Sequence, residues 1–352
     1  MRMISCMAAA APIAVSIALA APAADRTIVA FGDSITYGKG SAANGPRTGY
    51  PAYLGGILAH NCPGTTFSLV NAGVSGETTS GGLARLGRVL DAYRPDLVLI
   101  MEGTNDIALG VPFGVIRDNL ARMAAIAAAQ GVTPVVDTVI PPHPALCRAQ
   151  YARTARFYSG GYVQDACARR GVRCADQWAA FHAVPGFGNA LFNLASPEHP
   201  NSAGHAYVMA PAWYEALAPV LGVPLASEGP SLSLAGGGEG VARGEALHAR
   251  YELAPGDDLV RNALDCYAAV MAPGGRFAFL DSRGALAGGA PLLARAIPRD
   301  RAPRSGPLPP ILIPRGAPAG RYTLFLAAVR ILHDPLDPAA RTALAELPFD
   351  VR

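Results

Sequence analysis

"TIVAFGDSITYG", residues 27–38, decides how the first half of this chain is read. An apolar run stops at Gly32-Asp33-Ser34, and a stretch able to close into a helix follows. Such a junction reads as the end of a buried strand handing over to a helix. Ser and Asp are both favoured at helix N-caps, so Ser34 on its own reads either as a cap or as a nucleophile. The same rhythm then recurs. FSLVNAG (67–73), DLVLIMEG (96–103), VTPVVDTVI (132–140) and the weaker VRCAD (172–176) read as four more strands. Their continuous apolar character suits strands covered on both faces of a parallel sheet. Helical patterns occupy 79–94, 112–131, 152–171 and 202–221, with Gly160-Gly161 interrupting the third and Pro211 lying within the fourth. Alternating strands and helices predict an α/β fold with right-handed crossovers, a three-layer α/β/α sandwich around a parallel five-stranded sheet.

After residues 222–230 the rhythm changes. ALHARYEL, LDCYAAVM, RFAFLDS and RYTLFLAAVRIL are short runs separated by Gly and Pro clusters, the pattern of a small all-β sandwich. The proline-dense 298–320 suits an exposed connection or a sheet edge. At the other end, Arg2, an apolar alanine-rich run and Ala21-Pro22-Ala23-Ala24 make a secretory signal peptide pattern with cleavage near Ala24. A retained anchor is the rival, but Pro12 and the alanine content make a poor permanent span. The expected organisation is therefore a signal peptide at 1–24, an α/β domain at 25–225 and a β-sandwich accessory domain at 231–352. The expected destination is export, periplasmic or secreted, with no membrane span after signal removal.

The chain has 352 residues, 51% of them hydrophobic and 16% charged, with a formal net charge of +3. No long basic run and no basic–aromatic interleaving occurs, so no nucleic-acid partner is expected. Lys39 is the one lysine. Without Cys6 of the leader, five cysteines remain: Cys62, Cys147, Cys167, Cys174 and Cys266. An odd number leaves at least one unpaired within the chain, and Cys147, Cys167 and Cys174 are close enough in sequence to supply a disulfide. No C-x-x-C or H-x-x-x-H spacing occurs, so neither a metal nor another cofactor is expected.

Three further polar clusters fall where Ser34 falls, around the carboxyl edge of the expected sheet. NAGVSGETT (71–79) follows the second strand, EGTND (102–106) follows the third, and SPEHPNSAGH (196–205) precedes the last helix. In open α/β sheets this edge is where ligands bind. Each cluster alone could be turn chemistry. Taken in order, Gly32-Asp33-Ser34, Gly76, the Asn105 of GTND and the His199 of HPNSAGH resemble the four blocks of the GDSL or SGNH hydrolases. The resemblance covers 26–222 and none of the rest. It implies a flavodoxin-like sheet and carboxylic ester hydrolysis. Ser34 would be the nucleophile and His199 the general base, with Ser34 N–H, Gly76 N–H and the Asn105 amide as oxyanion donors. The chemistry requires these types: a serine hydroxyl attacks only when a base within hydrogen-bond reach takes its proton. His205 reads as structural, and Asp33 and Asp106 as turn supports.

One departure stands out. The family usually carries Asp three residues before the histidine, and here that position is Ser196. Three replacements stay open: Ser196 or a backbone carbonyl holding the imidazole, a carboxylate from Glu198 or Asp176, or a weakened site that binds without turnover. A small-molecule or carbohydrate ester is the expected substrate, and residues 38–58 are expected to border its pocket; Tyr37, Tyr50 and Tyr53 read either as its lining or, more readily, as packing. A surface- or glycan-binding protein with a weakened site, and an acyltransferase using the same serine, are the alternative functions. The sequence says nothing of oligomeric state.

Overall fold

Strand β1 (Ala24–Gly32) delivers the chain to a four-residue helix, α1 (Ser34–Tyr37), in the computed structural model. This structure describes residues 24–62, 64–184, 186–223, 231–236, 240–254, 264–281, 283, 285–287, 294–296, 304–330 and 341–352. The expected leader lies outside the described residues, apart from Ala24 at the start of β1.

Helix α2 (Tyr50–Asn61), β2 (Thr65–Gly73), α3 (Thr79–Tyr93) and β3 (Leu97–Met101) follow. Then come α4 (Thr104–Leu109), α5 (Phe113–Ala129), β4 (Thr133–Asp137), α6 (Arg148–Ser159), α7 (Tyr162–Arg170) and β5 (Arg173–Ala175). The five strands form one parallel sheet in the order β2-β1-β3-β4-β5. This is a flavodoxin-like order, with its switch point between β1 and β3. Side-chain alternation splits the core in two. Ile28, Ala30, Leu97, Leu99 and Met101 pack on one face with residues of α2, and Val29, Phe31, Val98 and Ile100 pack on the other with α3 and α5. Each fully buried aliphatic side chain of this kind contributes roughly 1.5–3 kcal/mol.

One expectation needs correcting. β2 is an edge strand, half-buried or exposed along its length, because β1 pairs with it on one side only. Residues 50–61 form α2, and Tyr50 is a fully buried core residue that stacks on Trp213 at 5.8 Å, in keeping with the packing reading of it. The helical pattern at 152–171 is two helices, parted at Gly160-Gly161 as the sequence suggested.

The chain then adds α8 (Gln177–His182), α9 (Phe187–Leu191) and an antiparallel hairpin of β6 (Phe192–Asn193) and β7 (Ser196–Pro200). The pattern at 202–221 is α10 (Ser202–Gly204), a π-helical turn (His205–Met209) and α11 (Ala210–Leu217). Pro211 sits in the first turn of α11, where its missing N–H costs least, and the π turn absorbs the break in the ladder.

Beyond residue 230 the described residues form β8 (Ser231–Gly236), β9 (Ala246–Leu247), β10 (Ala249–Ala254), β11 (Leu264–Met271), β12 (Phe277–Leu280), β13 (Leu286–Ala287) and β14 (Ala294–Ala296). β15 (Arg304–Pro307), β16 (Ile311–Leu312), β17 (Gly320–Arg330) and β18 (Arg341–Val351) complete it. All strand pairs here are antiparallel. The sheets β15-β10-β8 and β13-β12-β11-β17-β18 contribute to a common core that includes Ala249, Val270, Leu324 and Ile311. β15, from the proline-dense segment, is an edge strand.

Candidate active site

The bend after β1 is built by Asp33, not by Ser34. Asp33 Oδ1 accepts the Ile35 N–H at 2.8 Å and caps α1, leaving Ser34 as the first helical residue with its hydroxyl not spent on the cap. Gly32 permits the tight approach: a Cβ there would meet the Met101 carbonyl oxygen and Thr36 Oγ1, each at 2.3 Å. Gly38, at φ 101°, ends α1 by returning its N–H to the Ile35 and Ser34 carbonyls. Ser34 is thus presented at the carboxyl end of β1, at the switch point of the sheet.

His199 comes to it from β7, 165 residues on, and its Nε2 lies 2.8 Å from Ser34 Oγ. The histidine is 4% exposed. Two loops hold it there. Asn201 accepts the Ala203 and Gly204 N–H groups through Oδ1 and donates from Nδ2 to the Ala190 carbonyl, fixing the turn into α10. Asn193 Nδ2 donates to the Gly40 carbonyl at 3.0 Å. Gly40 has φ 91°, and a Cβ on it would lie 2.7 Å from His199 Cβ and 2.5 Å from the Pro200 carbonyl oxygen. His205 is structural, as expected: its Nδ1 accepts the Tyr50 N–H, and burial pushes its pKa down to about 4, so the ring is neutral.

The other ring nitrogen answers the question of the missing aspartate's position. His199 Nδ1 lies 2.7 Å from Ser196 Oγ and 3.2 Å from Glu198 Oε1, while the Ser196 hydroxyl donates to Glu198 Oε1 at 3.0 Å. Asp176 is committed elsewhere. It caps α8 through the Ala179 N–H and accepts from the Thr138 and Tyr158 hydroxyls. Of the three candidate side chains for holding the imidazole, the structure brings Ser196 and Glu198 to His199 and leaves Asp176 as a structural cap. Burial holds His199 below the usual histidine range, with Lys39 pushing the same way and Glu198 opposing.

Asn105 stands in the first turn of α4, after Gly103 at φ 120°. Its Nδ2 donates to the Glu77 carbonyl at 2.7 Å and approaches Asp33 Oδ2 at 3.4 Å. The amide therefore ties the residue before Ser34 to the residue after Gly76. Gly76 is exposed at φ 80° with open space where a Cβ would sit. Among the described residues, neither its N–H nor that of Ser34 donates to another group. Asp106 accepts the Thr79 N–H and hydroxyl at the start of α3, so it is a support, as read.

Beneath these residues lie acids whose burial and raised pKa the motifs did not reveal. Asp33 is fully buried and raised to about 7, first by burial and then by Glu77 and Asp106, against the Ile35 N–H. Glu102 and Asp137 are buried as well and raised well above the carboxylate range, chiefly by desolvation. Glu77 pairs with Arg85, whose guanidinium lies 4.0 Å over the Phe31 ring. The glutamate of EGTND was the visible signal for Glu102; its burial without a donor was not. Among the described residues no group of three or more His, Cys, Asp or Glu could hold a metal ion, and no helix is long and apolar enough to cross a membrane.

Comparison with known proteins places the chain in a family. The GDSL-like Lipase/Acylhydrolase family matches residues 30–207. An arylesterase of Vibrio mimicus is 34% identical over 125 residues, covering 35% of this chain and 60% of that protein. Esterase TesA of Pseudomonas aeruginosa is 42% identical over 111 residues, 31% of this chain and 52% of that protein. An acetylxylan esterase of Geobacillus stearothermophilus is 41% identical over 85 residues, 22% of this chain and 38% of that protein. The chain thus spans between 38% and 60% of the length of these curated relatives. A lipase/acylhydrolase structure from Enterococcus faecalis is 24% identical with a TM-score of 0.48, covering 55% of this chain and 96% of that one. With the family match extending from the strand before Ser34 to the π turn after His199, the chain belongs to the GDSL-like lipase/acylhydrolase family.

Proposed function

We propose that this chain is an exported serine esterase that hydrolyses carboxylic esters through an acyl-enzyme on Ser34. The observation that carries the reading is the 2.8 Å contact between Ser34 Oγ and His199 Nε2. His199, held largely neutral by its burial, takes the hydroxyl proton as Oγ bonds to the ester carbonyl carbon. The tetrahedral oxyanion then meets the Ser34 and Gly76 N–H groups, and the Asn105 amide joins them by turning its weaker, 3.4 Å N–H away from Asp33 Oδ2 while the other stays on the Glu77 carbonyl. On collapse, the C–O bond to the alcohol breaks and His199 protonates the departing oxygen. Water, deprotonated by His199, attacks the acyl carbon, and Ser34 leaves with its proton restored. Ser196 stands in the position that the family gives to aspartate.

The relatives named for aryl, TesA-type and acetylxylan ester hydrolysis support a small or carbohydrate ester as substrate. In this reading residues 1–24 are a removable signal peptide, 25–225 the hydrolase domain and 231–352 an accessory domain. The test is hydrolysis of p-nitrophenyl acetate and butyrate, with a fluorophosphonate labelling Ser34. Ser34→Ala should lower kcat by at least about 10⁴-fold and abolish labelling. Equal rates in the two proteins would overturn the assignment.

A further inference from the structure

We propose that Glu198, acting through the Ser196 hydroxyl, is the positioning acid of this site, completing a chain Ser34–His199–Ser196–Glu198. The inference rests on the esterase reading of Ser34 and His199.

The argument is one of proton direction. To accept the Ser34 proton, Nε2 must be bare, so the neutral ring carries its hydrogen on Nδ1. That hydrogen has Ser196 Oγ as its acceptor at 2.7 Å. Ser196 owns one proton, and it points at Glu198 Oε1, 3.0 Å away. Every donor in the chain therefore faces the same way, from Ser34 towards the carboxylate. In the opposite tautomer Nδ1 would take the Ser196 proton, Glu198 would lose its donor, and Nε2–H would face Ser34 with no lone pair to offer. A carboxylate accepts only, so Glu198 at the far end selects the productive tautomer. Its direct 3.2 Å approach to Nδ1 adds attraction when the ring becomes imidazolium.

The strand explains the geometry in part. Residues 196 and 198 point to the same side of the extended β7, which brings hydroxyl and carboxylate together. The carboxylate is also kept ionised. Burial opposes its charge, but a backbone hydrogen bond, His199, the Ser196 hydroxyl and Lys39 outweigh that and hold its pKa below the usual glutamate range. The other titratable groups facing this pair are Lys39 and His205 towards the ring and Cys147 towards the carboxylate. The glutamate side chain is 39% exposed against 5% for the histidine, so the acid works from the solvent side of the ring.

The test uses the full chain with three readouts. Glu198→Gln should lower kcat by about 10- to 100-fold at unchanged KM. That is less than the roughly 10⁴-fold cost of losing a direct buried acid, because a partly exposed carboxylate is screened. The acid limb of kcat/KM should move to lower pH, since Glu198 favours the imidazolium. The double variant Ser196→Asp/Glu198→Gln should regain rate and return the limb upward, because the aspartate takes Nδ1 directly. The His199 midpoint, read by NMR, should fall in Glu198→Gln whether or not the protein turns over. Wild-type kcat and an unmoved midpoint in Glu198→Gln would overturn the proposal. If instead Ser34→Ala hydrolyses as fast as wild type, the esterase reading has failed, and the NMR midpoint alone decides the Glu198 coupling.

Discussion

Glu102 shows what a single residue costs when it is placed for packing around a site. Both of its carboxyl oxygens are buried without a donor to accept from, their hydrogen-bonding neighbour being another carboxylate, Glu77, and it lies against Gly82, where a Cβ would come within 3.1 Å of Oε1. Desolvation, with Asp33 and Glu77 adding to it, raises its pKa well above the ordinary glutamate value. The unfolded chain releases this proton near the model-peptide value of roughly 4.3, while the folded chain keeps it. Folding therefore binds a proton, and the stability that Glu102 contributes is present at acid pH and is lost as pH rises through the folded-state value. Glu102→Gln removes that loss. Its melting temperature should gain more over wild type at pH 8 than at pH 5, by calorimetry; an equal difference at both would show that the carboxyl is ionised in the fold. The sequence showed the acid in EGTND but not this state, because nothing local says that its oxygens meet no donor.

At the scale of elements, the site is two segments locked against each other: the loop after α1 and the hairpin β6–β7. Gly40 packs directly against His199 and Pro200, with no room for a side chain between them. Gly40→Ala would put a methyl 2.5 Å from the Pro200 carbonyl oxygen at a left-handed φ of 91°, so the histidine segment must move. A displacement on the order of 1 Å is worth about 100-fold in rate. We expect Gly40→Ala to lower kcat by about that factor and to slow fluorophosphonate labelling of Ser34, with the far-ultraviolet dichroism unchanged. Unaltered labelling would show that the loop yields instead. The strand–helix alternation that frames this contact was legible from hydrophobic runs alone, including the break at Gly160-Gly161. Helix α2 was not, since YPAYLGGILAHN carries two adjacent glycines and no polar face to give it a helical period. The Cys167–Cys174 disulfide, which ties α7 to β5, was one of three pairings that the spacing left open.

For the whole molecule, the decisive feature is how the cores divide. The two large clusters of the α/β region are drawn from residues 28–223, and the clusters of the β-rich region from residues 232–351. Neither set borrows a residue from the other. A chain of residues 25–225 should therefore melt cooperatively and hydrolyse p-nitrophenyl acetate with the kcat/KM of the full protein, while residues 231–352 should be inert. Loss of activity on truncation, with the fragment folded, would give the β-rich region a part in the site.

The sequence by itself determined the layer order, the family and the residue types proposed to carry the chemistry. Hydrophobic runs and four short polar blocks are local signals, read without knowing what touches what. Tertiary structure alone decided three things: that Asp33 and not Ser34 caps the first helix, that Asp176 is spent on α8, and that Ser196 and Glu198 both reach the imidazole. Those are questions of distance between groups, and distances across the chain are set by how the sheet, the hairpin and the loop at Gly40 pack together.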